Sequence, residues 1–222
     1  MNGRAIWLRA AGNVLLGIAL GLVAYYGVTS LSGWLAQRSL RSGASEVGTF
    51  ASDLPSDLLS PGGPQLDFDG WDVEDRAYWA GLGQGEVFGR IVITDIGLDT
   101  FVVNGVSTAD LKRGPGWIDW TDLPGPEGTC GISGHRTTYL APFRRLDELA
   151  AGDTIDLFSP YRRYRYRVTE SVVVTPDQTE VVEAGPRPSL TLTACHPPYS
   201  ARYRLAVKAE LIEVRRVSTS GE

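Results

Sequence analysis

The sequence predicts an all-β domain, one barrel or sandwich, held behind a single apolar N-terminal segment long enough to cross a membrane. Three observations carry that expectation. Between Arg9 and Arg38 no residue is charged, and "VLLGIALGLVAYYGVTSL" (Val14 to Leu31) supplies about the 20 helical residues that a hydrocarbon core requires. From Glu86 on, short runs of β-branched and aromatic residues recur between Gly, Pro and Asp. Only "TADLKRG" and "APFRRLDELA" interrupt them with brief helical patterns, which disfavours alternating βαβ units.

Arg4 and Arg9 precede the apolar run, and Trp7 and Trp34 flank it as interfacial anchors. The positive-inside rule then puts residues 1–9 in the cytoplasm, a membrane anchor at 10–35 and the rest outside. The competing reading is a cleaved signal peptide, with "SGA" (Ser42 to Ala44) as cleavage site. Its apolar core would normally run only about 7 to 15 residues, which favours the retained anchor. Residues 36–75, rich in Ser, Gly, Pro and Asp, read as a weakly ordered extracellular tether. Its end, "WDVEDRAYWAGL" (Trp71 to Leu82), has Val73, Ala77 and Ala80 near helical spacing and predicts a short helix. The β domain follows over 76–216, with a tail at 217–222. Its runs are "EVFGRIVI", "LDTFVV", "TCGIS", "TIDLF", "YRYRVTESVVV", "SLTLTAC" and "RYRLAVKAELIEV", about seven or eight strands in roughly 135 residues. Such a segment alone is also compatible with an extracellular binding module.

Composition narrows the function. A chain of 222 residues, 43% hydrophobic and 21% charged, holds one substantial domain with residues left over. A net charge of −5 without any dense Lys/Arg run excludes nucleic acid as partner, because phosphate binding needs a concentrated basic face. Two cysteines outside any CxxC pattern make neither a disulfide framework nor a zinc site, and no cofactor or metal is indicated. Lysine is nearly absent (Lys112 and Lys208) while arginine is abundant, which reads as a compositional bias of the source.

The chemistry gathers around "TLTACHPPYSARYRLAV" (Thr191 to Val207). Strand alternation puts Leu190, Leu192 and Ala194 on one face, and Thr191, Thr193 and Cys195 on the other. After the bend "HPPYSA", Leu205, Val207 and Ala209 share one face, and Arg204, Ala206 and Lys208 the other. If the two strands are neighbours, Cys195 and Arg204 meet on one side of the sheet. Arg202 has the same parity and stands in reserve, because the register of the bend is open. A thiol nucleophile needs an imidazole or similar partner, and the chain offers only His135 and His196. His196 adjoins Cys195, and adjacent side chains of an extended chain diverge, so His135, at the end of "GTCGISGH", is preferred. With ordinary values near 8.5 for a thiol and 6.5 for an imidazole, roughly 3% of the one is ionised and roughly a quarter of the other protonated at pH 7. A guanidinium nearby would favour thiolate and hold the oxyanion of an acyl-transfer intermediate. Cys130, in an apolar strand, reads as a small buried hydrophobe, and a disulfide between Cys130 and Cys195 is disfavoured.

Together these residues resemble the sortases, membrane-anchored cysteine transpeptidases of Gram-positive bacteria. "TLTAC" resembles the family's TLxTC signature, "GHRTTYLAPFRRLDEL" its histidine segment, and the Arg nine residues after the Cys its arginine. "GHRTTYxAPF" with "CHPPYSARYRL" is most similar to class E, the housekeeping type of high-GC actinobacteria. The resemblance implies an eight-stranded β-barrel with Cys195 as nucleophile, His135 as general acid/base and Arg204 as orienting and oxyanion-stabilising residue. It implies cleavage of a sorting signal, LAXTG in preference to LPXTG, between Thr and Gly. The acyl group would pass through a thioacyl enzyme to an amine of a peptidoglycan precursor, a lipid II-type acceptor. Its partners would be exported proteins with C-terminal sorting signals. "TPDQTEVVEAGPRP" (Thr175 to Pro188) corresponds to a wall of the signal groove, and Thr193, Ala194 and Tyr139 are candidate substrate contacts. Ala194 stands where the family usually has Thr. That departure motivates the alternative of a catalytically weak, membrane-tethered module that binds sorting signals or wall precursors. Papain-like and NlpC-type hydrolases place Cys before His in the chain, and the SHGC arrangement of L,D-transpeptidases is missing, so other cysteine enzymes of the wall fit less well.

Overall fold

The computed structural model describes residues 3–47 and 65–217. A 45-residue helix, α1 (Gly3–Val47), precedes eight strands: β1 (Val87–Ile93), β2 (Leu98–Asn104), β3 (Gly116–Trp117), β4 (Thr129–Gly134), β5 (Thr154–Phe158), β6 (Arg162–Val174), β7 (Ser189–His196) and β8 (Tyr203–Arg216). They close into a barrel in the order β1-β2-β3-β4-β7-β8-β6-β5. The barrel expected over the sandwich is therefore realised. Its two parallel pairs, β2 with β3 and β4 with β7, set the ends of β4 and β7 side by side.

Period-two patterning builds the core. Phe88, Ile91 and Ile93 of β1, Ile132 of β4, Ile155 and Leu157 of β5, and Leu190, Leu192 and Ala194 of β7 all point inward. Each large side chain removed from water contributes about 1.5–3 kcal/mol. The segment at Trp71 to Leu82 forms a π-turn (Asp72–Arg76) running into a short helix, α2 (Ala77–Ala80). It caps one barrel end, with the Trp79 ring stacked on Phe88 at 5.3 Å and its Nε1 donating to Phe88 O at 2.9 Å.

Three expectations are modified. Residues 36–47, expected in the tether, continue α1 instead, because their apolar positions find a surface on the barrel. The end of the tether is tied down as well: Val214 N donates to Gln65 O at 2.7 Å, and Leu66 bridges β8. Residues 48–64 and 218–222 lie outside the described residues. Finally, several of the abundant arginines are structural. Arg162 and Arg163 have no exposed surface, and with Arg165 they pair with Asp75, Glu213 and Asp156. A composition count could not separate these from a source bias.

The stretch Arg9–Ala44 of α1 is long and apolar enough to cross a membrane. Its side chains from Val14 to Val28 are largely exposed on the isolated chain, Val23 to 70%, as expected where lipid rather than protein is the intended surroundings.

Candidate active site

Strand register assembles the site. Ladder pairs β7 to β8 run from Ser189↔Glu210 to His196↔Tyr203, and within them Cys195 stands directly opposite Arg204. The register left open by the bend is thus fixed in favour of Arg204. Arg202 precedes β8 and lies over the Tyr203 ring at 5.3 Å. The Arg204 guanidinium is held by the bend itself, its Nη1 donating to Ala201 O at 3.0 Å and Tyr203 O at 3.1 Å.

On the other side of β7 lies β4, parallel and in register up to Gly134↔Ala194. One residue further on each strand come His135 and Cys195, and one further still Arg136 and His196. The last two touch: Arg136 Nη1 donates to His196 Nδ1 at 2.9 Å, while its Nη2 pairs with Asp147 at 2.6 Å. His196, which adjoins the thiol in sequence, is thereby committed to a guanidinium, as the divergence of adjacent side chains requires.

His135 is half-buried, and its Nε2 is shielded from solvent with no hydrogen-bond partner among the described residues. Burial holds its pKa below the usual 6.5, and the Lys112 charge adds to that effect. Two elements set this environment. Ser107 and Asp110 form a capping box on a short helix, α3 (Thr108–Leu111), after which Lys112 Nζ sits 5.8 Å from the Tyr139 ring centroid. The Tyr139 ring in turn lies 5.3 Å from His135. Tyr139, Leu140 and Ala141 all have left-handed backbone, with φ of 52°, 65° and 45°, a conformation that surroundings must impose on non-glycine residues. Gly134 is required as glycine, because a Cβ there would lie 2.6 Å from the Phe143 ring.

The remaining predicted residues separate. Thr193 shares the Cys195 face of β7 and is 8% exposed. Ala194 is 1% exposed among core residues on the opposite face, so its side chain is not available to a peptide lying over Cys195, which is at odds with its candidacy as a substrate contact. Cys130 is fully buried, with its thiol pushed up by burial and by Asp122. It pairs with Leu190, five strand positions from Cys195 and so roughly 16 Å away, beyond disulfide reach; both cysteines are free. The loop Thr175 to Pro188 folds over the outer face of β7 and β8. Thr191 Oγ1 donates to Val181 O at 2.9 Å, and a groove of about 440 Å³ runs between Glu180, Gly185, Thr191 and Lys208.

Sequence reasoning missed Lys112 and Arg136. Arg136 directly follows His135, but its own burial and its ion pair with the exposed Asp147 depend on a fold-level juxtaposition. Lys112 carried only the signal of being one of two lysines.

Comparison with known proteins places this arrangement. A family model described as the sortase domain matches residues 91–212. Sortase D of Bacillus subtilis is 31% identical over 114 residues, covering 51% of this chain and 56% of that protein. Sortase SrtE1 of Streptomyces coelicolor is 31% identical over 97 residues, covering 40% of this chain and 28% of its own length. The chain therefore spans about half or less of these relatives. Among solved structures, sortase E1 of Streptomyces coelicolor with a tripeptide in the active site superimposes with a TM-score of 0.59 at 27% identity, covering 62% of this chain and 95% of that one. A sortase D5 transpeptidase of Clostridium perfringens gives 0.58 at 27% identity, over 64% and 88%.

Proposed function

This chain belongs to the sortase family, and from that membership we propose that it is a membrane-anchored cysteine transpeptidase that joins exported proteins to a cell-wall precursor. The observation that carries the reading is the register pairing Cys195 with Arg204 on one side and leading to His135 on the other.

In the proposed reaction Cys195 is the nucleophile. Its thiol proton passes to His135, whose burial favours the neutral, proton-accepting imidazole. The sulfur attacks the Thr carbonyl carbon of the sorting signal, a C–S bond forms, and the carbonyl electron pair moves to oxygen, where the Arg204 guanidinium stabilises the charge. Collapse restores the carbonyl and breaks the Thr–Gly C–N bond; the departing amine takes the proton from His135. The thioacyl enzyme is then attacked by a lipid II-type amine, which gives its proton to His135 as the thiolate of Cys195 leaves.

Thr193 lies on the face a bound signal would contact, and Tyr139 sits beside the imidazole as a second contact. The groove under the Thr175–Pro188 loop reaches Thr191, four residues before Cys195 on the same face of β7, and is proposed as part of the path of the signal. Likeness to sortase E proteins supports class E and an LAXTG preference over LPXTG, with an actinobacterial source. The apolar stretch of α1 supports a single-pass anchor with the N-terminus inside and the β domain outside, and Ala44, packed against the barrel, supports retention over cleavage after "SGA". Incubation of the full chain with a fluorogenic LAXTG peptide tests the reading: cleavage that vanishes in Cys195→Ala supports it. Binding of the peptide with no thioacyl adduct would instead make the protein a sorting-signal binding module.

A further inference from the structure

Helix α1 does not stop where a bilayer would. At about 1.5 Å per residue its 45 residues reach about 67 Å, twice the roughly 30 Å of a hydrocarbon core. The outer turns are docked on the β domain. Gly33, Gln37, Leu40 and Ala44 recur every three or four residues and so share one helix face. Leu40 and Ala44 are buried with Phe101 and Val103 of β2. Gln37 behaves as a one-residue strand: its Oε1 accepts from Phe101 N at 2.9 Å, and its Nε2 donates to Phe101 O at 3.1 Å and to Arg113 O at 2.8 Å. Thus it closes the edge of β2 that the two-residue β3 pairs only at Val103 and Asn104.

The same face touches the histidine loop. A Cβ on Gly33 would lie 3.1 Å from Leu140 Cγ and 3.1 Å from the carbonyl carbon of Tyr139, whereas Gly12, Gly17, Gly21 and Gly27 of this helix meet nothing within 4 Å. Leu140 is the middle of the three left-handed residues, and Tyr139 is the ring against His135. Gln37 holds Arg113, the residue after Lys112, whose charge lies over that ring. Both segments that surround the imidazole are therefore braced by the helix that leaves the membrane.

We propose that Gly33 and Gln37 are positioning residues for His135, so that the active site is complete only when the outer end of the anchor helix is seated on the barrel. The inference rests on the reading of His135 as acid/base. It makes the anchor part of the catalytic apparatus as well as a tether, and fixes the height and orientation of the site above the membrane.

The test uses the full chain in nanodiscs, carrying Gly33→Leu, Gln37→Leu or the lipid-face control Gly17→Leu. Two quantities are read: kcat and KM for a fluorogenic LAXTG peptide, and the titration midpoint of His135 by NMR in a Cys195→Ala background. The groups bearing on that midpoint in the Cys195→Ala background, Tyr139, Lys112 and, by register, Arg204, are the same in all three. Both bracing variants are expected to lower kcat on the order of ten- to a hundredfold with KM little changed, the scale of a small misplacement of a catalytic group. In both, the imidazole midpoint rises toward its ordinary value as the cover of Tyr139 loosens. Gly17→Leu keeps the parental values, and Gly33→Ala falls between. Parental kcat and midpoint in Gly33→Leu overturn the proposal, and so does a kcat loss accompanied by an unmoved midpoint and a lower melting temperature. Should the parental chain not cleave the peptide, the transpeptidase reading fails, while the imidazole midpoint still decides the bracing.

Discussion

Along β5, β6 and the far half of β8, the carboxylates of Asp156, Glu213 and, from the turn at Asp72–Arg76, Asp75 each face a guanidinium, whereas at the ends of β4 and β7, beside the Arg136–Asp147 pair, the three candidate catalytic side chains are more loosely held. In the first region Arg165 grips Asp156 through Nε and Nη2, both at 2.8 Å, and Arg162 reaches Glu74 at 2.7 Å as well as Asp75. In the second, His135 Nε2 has no partner among the described residues, Cys195 is half-buried, and Arg204 is tethered only to backbone carbonyls of the bend. In the wall, ion pairs join the strands; in the proposed mechanism the loosely held side chains exchange a proton and meet an incoming oxyanion.

The sharpest way to break this contrast is Cys195→Ala, expected to abolish peptide cleavage while leaving circular dichroism and melting behaviour unchanged. In the parent, iodoacetamide should add one group, at Cys195, because Cys130 has no exposed surface. Next comes Arg204→Ala, expected to lower kcat by about 10²–10³, or about 2.7–4 kcal/mol of transition-state stabilisation, with Arg202→Ala near the parent. Steady-state kinetics on the same peptide checks both. From the paired wall, Asp75→Ala strips Arg162 of a fully buried partner. Denaturant unfolding should show a loss toward the lower end of about 3–5 kcal/mol, since Glu74 remains, and the activity per folded molecule should be kept. If Asp75→Ala lowers kcat instead, the separation of the two regions is wrong.

The smallest effect is electrostatic. Lys112 disfavours the imidazolium of His135, so Lys112→Met should raise the imidazole midpoint toward 6.5 without reaching it, burial being the larger cause. If, as proposed, the neutral imidazole accepts the thiol proton, the acid limb of the cleavage profile should move to higher pH with it. An NMR titration of His135 beside the pH–rate profile checks the sign.

How much of this was readable beforehand follows from how local each signal is. Strand alternation in "SLTLTAC" and "RLAVKAEL" assigns Cys195 and Arg204 the faces that meet if the two strands are neighbours, because a period of two is a property of the chain itself, while the choice of Arg204 over Arg202 needs the register of the bend. The seven strand runs are legible for the same reason, and the short helical segment within Trp71 to Leu82 from its spacing of three to four. The two-residue β3 left no pattern to read, and its place is set by its partners in β2 and β4. The extension of α1 through residues 36–47 hid because Gly33, Gln37, Leu40 and Ala44 read as a mixed polar run until β2 supplies the surface they cover. The Arg162–Asp75 and Arg163–Glu213 pairs, Lys112 over Tyr139, and Arg136 against His196 join residues far apart in sequence, and residue spacing carries no information about such contacts.

Uptake of the acyl group by Cys195 at the β7–β8 junction can be seen by intact-mass spectrometry of the full chain mixed with an LAXTG peptide and no amine acceptor. An added mass equal to the peptide up to and including its Thr, less water, is expected on the parent protein. That adduct should be absent from Cys195→Ala and discharged when an amine is supplied. Cleavage of the peptide with no covalent species, or an adduct that persists in Cys195→Ala, would contradict uptake at Cys195.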